Sequence, residues 1–253
     1  MSKKATTLDH CFVRSVIVER PVTTIEYPFN IPSVSNLEDI HFDQPVTFLV
    51  GENGSGKSTI IEAIAVATGF NAEGGSKNMN FSTRNTTSNL ADKIRLVQGI
   101  TKPRTGYFLR AESFYNVASN IESLDAGGGG GGALIGDNYG KIPLHHQSHG
   151  ESFLALINNR FGENGLYILD EPEAALSPER QLSLLLRMKQ LVAEGSQFII
   201  ATHSPVLLAY PGATIYELSA NGATKTEYEE TRHYTFMLDF LKNHQAYTRR
   251  LGE

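Results

Sequence analysis

Val46-Thr47-Phe48-Leu49-Val50-Gly51-Glu52-Asn53-Gly54-Ser55-Gly56-Lys57-Ser58-Thr59 is the stretch whose reading decides the fold. Residues 46–50 are a short apolar run of strand formers, and Gly51 to Thr59 fill every fixed position of the phosphate-loop pattern G-x-x-x-x-G-K-S/T. Behind the loop, Ile60-Ile61-Glu62-Ala63-Ile64-Ala65-Val66-Ala67 is apolar nearly all round and stops at Gly69, which predicts a buried helix and its terminator. Strand, glycine loop and helix in this order aim several backbone N–H groups, and the positive end of a helix dipole, at one anion. A nucleotide phosphate is the expected guest. Gly51, Gly54 and Gly56 let the backbone close around it, with Asn53, Ser55 and Thr59 completing the loop. Lys57 reaches for the β and γ phosphates, and Ser58 is a ligand for Mg²⁺. A chance glycine loop is the competing reading, and both flanks argue against it.

Working outward, 253 residues are enough for one large α/β domain or two small ones, and a single domain over 1–253 is the expectation. The apolar fraction of 40%, the charged fraction of 19% and a mean hydropathy of -0.22 are those of a soluble protein. No apolar run approaches the roughly 20 residues of a membrane span. The two lysines near Met1 have no apolar segment behind them, and the one cysteine, Cys11, has no partner for an internal disulfide; both fit a cytoplasmic location. A net charge of -5 argues against a chain coated for wrapping nucleic acid. Arg95, Lys102, Arg104 and Arg110 cluster in sequence and read as a solvated face rather than a binding patch.

Phe12 to Glu19 reads as a first strand on a sheet edge, and a second around Ile40 to Asp43 is expected to form a hairpin-like entry with the strand that feeds the phosphate loop. Asn71 to Asn89 reads as a polar loop near the nucleotide, and Tyr107 to Arg110 as a strand with Glu112 just beyond its end. The six glycines of 127–132 are a linker, a loop tip or an engineered replacement; no core can be built from them. Glu151 to Asn158 is a helix. Leu166 to Leu169 and Phe198 to Thr202 are continuous apolar runs, as expected of parallel strands buried on both faces. Ser177-Pro178 opens a helix that runs to Gly195. In the tail, Tyr234, Phe236, Met237, Leu238 and Leu241 recur at helical spacing and predict an amphipathic helix packed on the body.

Two of these strands end in reactive side chains. Leu166 to Leu169 runs into Asp170-Glu171, so both carboxylates fall at the carboxyl edge of a sheet, where open α/β folds bind ligands. Asp170 would hold Mg²⁺, and Glu171 would orient and deprotonate the water that attacks the γ phosphate. Phe198 to Thr202 runs into His203, which reads as a sensor of that phosphate. A simple strand cap and a structural histidine are the bland alternatives.

This order of motifs resembles the ABC-type ATPases, whose phosphate loop, mid-chain signature, Asp-Glu strand and switch histidine all have counterparts here. The signature counterpart is Gln147-Ser148-His149-Gly150-Glu151, which keeps Ser148 and Gly150 as expected nucleotide contacts. The run Asp170-Glu171-Pro172-Glu173-Ala174-Ala175-Leu176-Ser177-Pro178 is similar to the RecF/SMC-like branch, which includes small bacterial predicted ATPases. The resemblance implies an α/β P-loop NTPase fold, an ABC ATPase head. Its central sheet would be mostly parallel, with antiparallel N-terminal strands and a short helical insertion over about 113–147. It implies ATP and Mg²⁺ as cofactors, Lys57, Glu171 and His203 as catalytic residues, and an ATP-dependent homodimer in which each nucleotide lies between one copy's phosphate loop and the other's signature. Glu112 would stand in for the glutamine of the Q-loop. The expected role is ATP hydrolysis that gates action on DNA or on a partner effector protein, as in repair or defence. The competing functions are the nucleotide-binding subunit of an ABC transporter and a regulator with negligible turnover.

Overall fold

Three apolar runs of the sequence become three neighbouring strands of one sheet. The structure, a computed structural model, describes residues 11–19, 26–77, 89–111 and 148–249. Within these the strands are β1 (Val13–Val18), β2 (Ile40–His41), β3 (Val46–Gly51), β4 (Ile94–Gln98), β5 (Thr105–Arg110), β6 (Gly165–Asp170), β7 (Gln197–Ala201), β8 (Thr214–Ser219) and β9 (Gly222–Thr226). The helices are α1 (Pro32–Ser35), α2 (Lys57–Ala67), α3 (His149–Arg160), α4 (Pro178–Ala193), α5 (Pro205–Leu208) and α6 (Arg232–Thr248). The larger sheet has the order β5-β6-β7-β3-β8-β9 and is parallel except at the final pair. Glu112, the 113–147 insertion and the glycine run at 127–132 lie outside the described residues.

The central strands are apolar at every position because both faces are covered. Side chains alternate across a strand. Phe48, Val50, Tyr167, Leu169, Phe198 and Ile200 therefore pack with Phe153 and Leu156 of α3 and Leu184 and Met188 of α4. Leu49, Ile168, Ile199 and Ala201 point the other way, against Ile60, Ile61 and Ile64 of α2 and Val16 and Ile40 of a smaller sheet. Tyr167 stacks on Phe161 with ring centroids 4.1 Å apart, an arrangement that adds to its area burial.

The smaller sheet corrects two sequence expectations. Its order is β2-β1-β4, antiparallel throughout, so β1 is central and not an edge strand. The second strand pairs with β1 through Ser15 and His41, not with β3, so no hairpin forms across Pro45. Pro45 instead lends its carbonyl to the Phe198 N–H of β7.

Gln197 joins the two sheets. Its side chain is fully buried, its Oε1 accepts from Val13 N at 3.0 Å and its Nε2 donates to Val13 O at 2.8 Å. Gln197→Leu fits the volume but leaves a backbone donor and a backbone acceptor unpaired in the core. A loss of about 2–5 kcal/mol is expected in urea unfolding, and an unchanged midpoint would contradict this role.

The tail helix α6 exists as the sequence predicts, but its packing differs. None of its residues is buried, and Phe236 and Leu241 are 57% and 66% exposed. The helix meets the body through its first turn, where the fully buried Thr231 caps it by accepting from Tyr234 N. Its aromatic side chains pack on one another, with Phe240 and Tyr247 5.6 Å apart.

Candidate functional site

The strand order decides which residues meet. β7 lies between β3 and β6, so the phosphate loop, His203 and Asp170-Glu171 leave three adjacent strand ends. In register, Leu49 sits beside Ala201, Ala201 beside Asp170, and Asp170 beside Arg110.

The loop after β3 is shaped by close approach. Gly56 caps α2 with φ of 83°, and a Cβ there would lie 2.8 Å from Val34 Cγ2, so neither the backbone angle nor the space admits another residue. Ser33 of α1 braces the loop by donating to Ser55 O. The opening N–H groups of α2 have no intrahelical acceptors, a geometry suited to an anion. Lys57 is 3% exposed, and its Nζ donates to Gly51 O at 3.1 Å and Glu52 O at 3.0 Å. Burial holds its ammonium below the usual lysine range, opposed by Glu171, Asp170 and Glu173.

Ser58 donates its hydroxyl to Asp170 Oδ1 at 3.1 Å. Burial pushes the Asp170 carboxyl up to about 6, while the Arg110 guanidinium and the Ser58 hydrogen bond pull it back. Two oxygen ligands facing each other at the mouth of a phosphate loop suit a hard cation. Among the described residues no group of three or more His, Cys, Asp and Glu forms a metal cluster. A nucleotide-site magnesium does not need one, because it takes one or two protein oxygens and completes its shell with phosphates and water. The residues present fit Mg²⁺.

Arg110 departs from the solvated face read in the sequence. Its side chain is 19% exposed, with Nε 3.5 Å from Asp170 Oδ2 and a guanidinium nitrogen 2.8 Å from Glu62 Oε2. Arg104 does lie on the surface, paired with Glu163.

Glu171 adopts φ of 51° and ψ of 52°, left-handed backbone that is strained for a residue with a Cβ. Its N–H donates to Ala201 O at 2.9 Å, and its carbonyl accepts from Ala174 N. The carboxylate is thereby turned toward His203, whose Nε2 lies 3.3 Å from Glu171 Oε1. The neighbouring Glu173 accepts the His203 backbone N–H at 2.5 Å, and burial raises its own carboxyl pKa. His203 Nδ1 is 3.1 Å from His233 Nε2 on the first turn of α6. Burial and the nearby Lys57 charge lower the His203 pKa, with Glu171 opposing, and burial lowers that of His233. Both shifts favour the neutral rings. A hollow at this point is lined by Glu52, Asn53, Glu171, His203 and His233.

Ser148 and Gly150 lie apart from this group. Ser148 is the exposed cap of α3, in a capping box in which its backbone N–H donates to Glu151 Oε2 at 3.0 Å. Arg180 reaches both, 3.4 Å from Ser148 Oγ and 3.3 Å from Glu151 Oε1. A Cβ on Gly150 would stand 2.8 Å from Ala175 O, so glycine lets this turn approach the segment after Glu171.

Sequence reasoning assigned no role to Glu173, Arg110 or His233. Glu173 stood inside a quoted motif. His233 follows a helix cap, Thr231, which is the one local hint that its ring is held in place.

Comparison with known families gives two overlapping matches. A model described as "AAA domain" matches residues 29–122, and one described as "AAA domain, putative AbiEii toxin, Type IV TA system" matches residues 111–209. A search of curated proteins finds no match. Among solved structures, a nucleotide-free ATP-binding cassette from an ABC transporter aligns over 94% of this chain and 98% of its own, at 18% identity and a TM-score of 0.50. The head domain of SMC from Thermotoga maritima aligns over 85% and 98%, at 15% identity and a TM-score of 0.44. A dimeric bacterial ABC transporter cassette aligns over 78% and 92%, at 15% identity and a TM-score of 0.44. The two AAA-domain matches, which together run from 29 to 209, support an ATPase, and the fold is that of an ATP-binding cassette.

Proposed function

We propose that the chain hydrolyses ATP with Mg²⁺ at a site that a second copy completes, and that this dimer cycle gates action on DNA or on a partner protein in the cytoplasm. The observation that carries the reading is the meeting of Ser58, Asp170, Glu171 and His203 at three adjacent strand ends beside the phosphate loop. In this reading the whole chain works as one ATPase domain.

The phosphate loop amides and Lys57 bind the phosphates, and Ser58 and Asp170 hold the cation. A Mg²⁺ held by Ser58 and Asp170 would supply charge neutralisation to the nucleotide phosphates. Glu171, turned into the site by its left-handed backbone, orients a water and accepts its proton. His203 presents Nε2–H to the γ phosphate and so distinguishes ATP from ADP. Ser148, exposed at the start of α3, offers its hydroxyl and the positive end of that helix to the nucleotide on the other copy.

Glu171→Gln keeps the size of the side chain but cannot take a proton. ATP should then be bound and not consumed, and the variant is expected to sediment as a dimer at saturating ATP with Mg²⁺. A strictly monomeric variant under those conditions would overturn the two-copy site. Among the described residues no helix is long and apolar enough to cross a membrane. The transporter-subunit reading therefore requires a separate membrane partner, and co-purification with one would favour it.

A further inference from the structure

Strand β7 delivers His203 to the site, but a neutral imidazole has two tautomers, and only one serves the role given to it above. A neutral ring offers one nitrogen as donor and the other as acceptor. His203 Nε2 is buried and makes no well-aligned hydrogen bond, but it lies 3.3 Å from a carboxylate oxygen of Glu171, which can only accept. A bare lone pair on Nε2 would face that oxygen repulsively, so the hydrogen belongs on Nε2. His203 Nδ1 is then the acceptor, and the atom 3.1 Å from it is His233 Nε2. His233 must therefore be the donor. Its own Nδ1 is, like His203 Nε2, buried without a well-aligned hydrogen bond, but no carboxylate is paired with it as Glu171 is with His203 Nε2, so a lone pair is tolerable there and an N–H costly.

His233 is itself fixed. The preceding residue, Arg232, places a guanidinium nitrogen 2.6 Å from Glu52 Oε1 of the phosphate loop, and its backbone N–H donates to Glu217 Oε1 at 3.2 Å. The first turn of α6 is thus tied to the phosphate loop on one side and to His203 on the other.

We infer that His233 is a positioning residue, which donates from Nε2 to His203 Nδ1 and so locks His203 in the tautomer whose Nε2–H points into the nucleotide site. The catalytic consequence rests on the γ-phosphate role proposed for His203; the tautomer itself does not.

The test is long-range proton–nitrogen correlation NMR on nitrogen-15-labelled full chain without nucleotide at pH 8, alongside steady-state ATP turnover. Wild-type protein is expected to show His203 protonated at Nε2 only. His233→Ala should give a mixture of tautomers and about tenfold lower kcat, with KM for ATP within about twofold. In His233→Gln the side-chain amide N–H replaces the imidazole donor, so it should restore the single tautomer and bring kcat to within about threefold of wild type. A wild-type His203 protonated at Nδ1 would overturn the inference without any variant, and so would His233→Ala with unchanged tautomer and kcat. If the tautomers follow expectation while His203→Ala turns over normally, the positioning stands and the γ-phosphate role of His203 fails.

Discussion

Lys57→Ala is expected to lower ATP turnover by about 10²–10³-fold, the loss seen when a donor aimed at developing charge is removed from a water-poor site. The size follows from where the ammonium sits. It is buried, its pKa is depressed by burial, and two of its three donors go to the carbonyls of Gly51 and Glu52, which leaves one for a phosphate. A charge already stripped of water loses little more when phosphate arrives, so most of its attraction to the anion is kept. The variant should also lose the thermal stabilisation by nucleotide. At ATP about 100-fold above its dissociation constant, wild type should gain about 2.7 kcal/mol, and the variant only a small part of that. Phosphate release with saturating ATP and Mg²⁺ and a melting curve check both parts. Equal release by wild type and variant would mean that this loop is not the site of turnover and would favour the regulator reading.

How far the sequence foretold this site depends on which residues carry their own pattern. β3, β6 and β7 were readable because a strand covered on both faces must be apolar at nearly every position, and Leu166 to Leu169 and Phe198 to Ala201 are. The phosphate loop was readable for a different reason: Gly56 meets both a backbone angle and a space that glycine alone satisfies. Asp170, Glu171 and His203 were readable as strand-end residues once parallel pairing was assumed. β4, β8 and β9 were not. Ile94–Gln98 and Gly222–Thr226 carry exposed polar side chains and owe their extended form to partners, β1 in one case and β8 in the other. The smaller sheet is not legible because Ile40-His41 is too short to state its partner, and nearness in sequence points across Pro45 to β3 instead of to β1. Arg110 was grouped with surface charges by spacing, whereas its register opposite Asp170 turns it into the site. The apolar spacing of α6 foretold the helix correctly and its packing wrongly, since periodicity records one apolar face and not what covers it.

Mixing two inactive variants should restore activity if the site is shared between copies. In Lys57→Ala the phosphate loop is disabled and the segment around Ser148 is intact; in Ser148→Arg the reverse holds. Arginine is chosen because Ser148 is exposed at the cap of α3 and already has the Arg180 guanidinium 3.4 Å away. A second guanidinium would crowd that turn and block the approach of a partner. Losing the cap costs about 1 kcal/mol, so the variant should fold. A mixed dimer contains one site built from the intact loop of one copy and the intact Ser148 segment of the other, together with one site that is doubly disabled. Random pairing of equal amounts gives about half mixed dimers, each with one working site of two. Turnover near a quarter of wild type is therefore expected if the sites act independently, and less if they are coupled. Each variant alone should stay at least about 10²-fold below wild type. A site contained within one copy predicts instead that Ser148→Arg alone keeps nearly full turnover and that mixing adds nothing. The two outcomes differ by far more than assay error. The distinction matters because the chain brings Lys57, Asp170, Glu171 and His203 together by itself, while Ser148 is exposed apart from them and in the proposed dimer would reach a nucleotide held by a second copy.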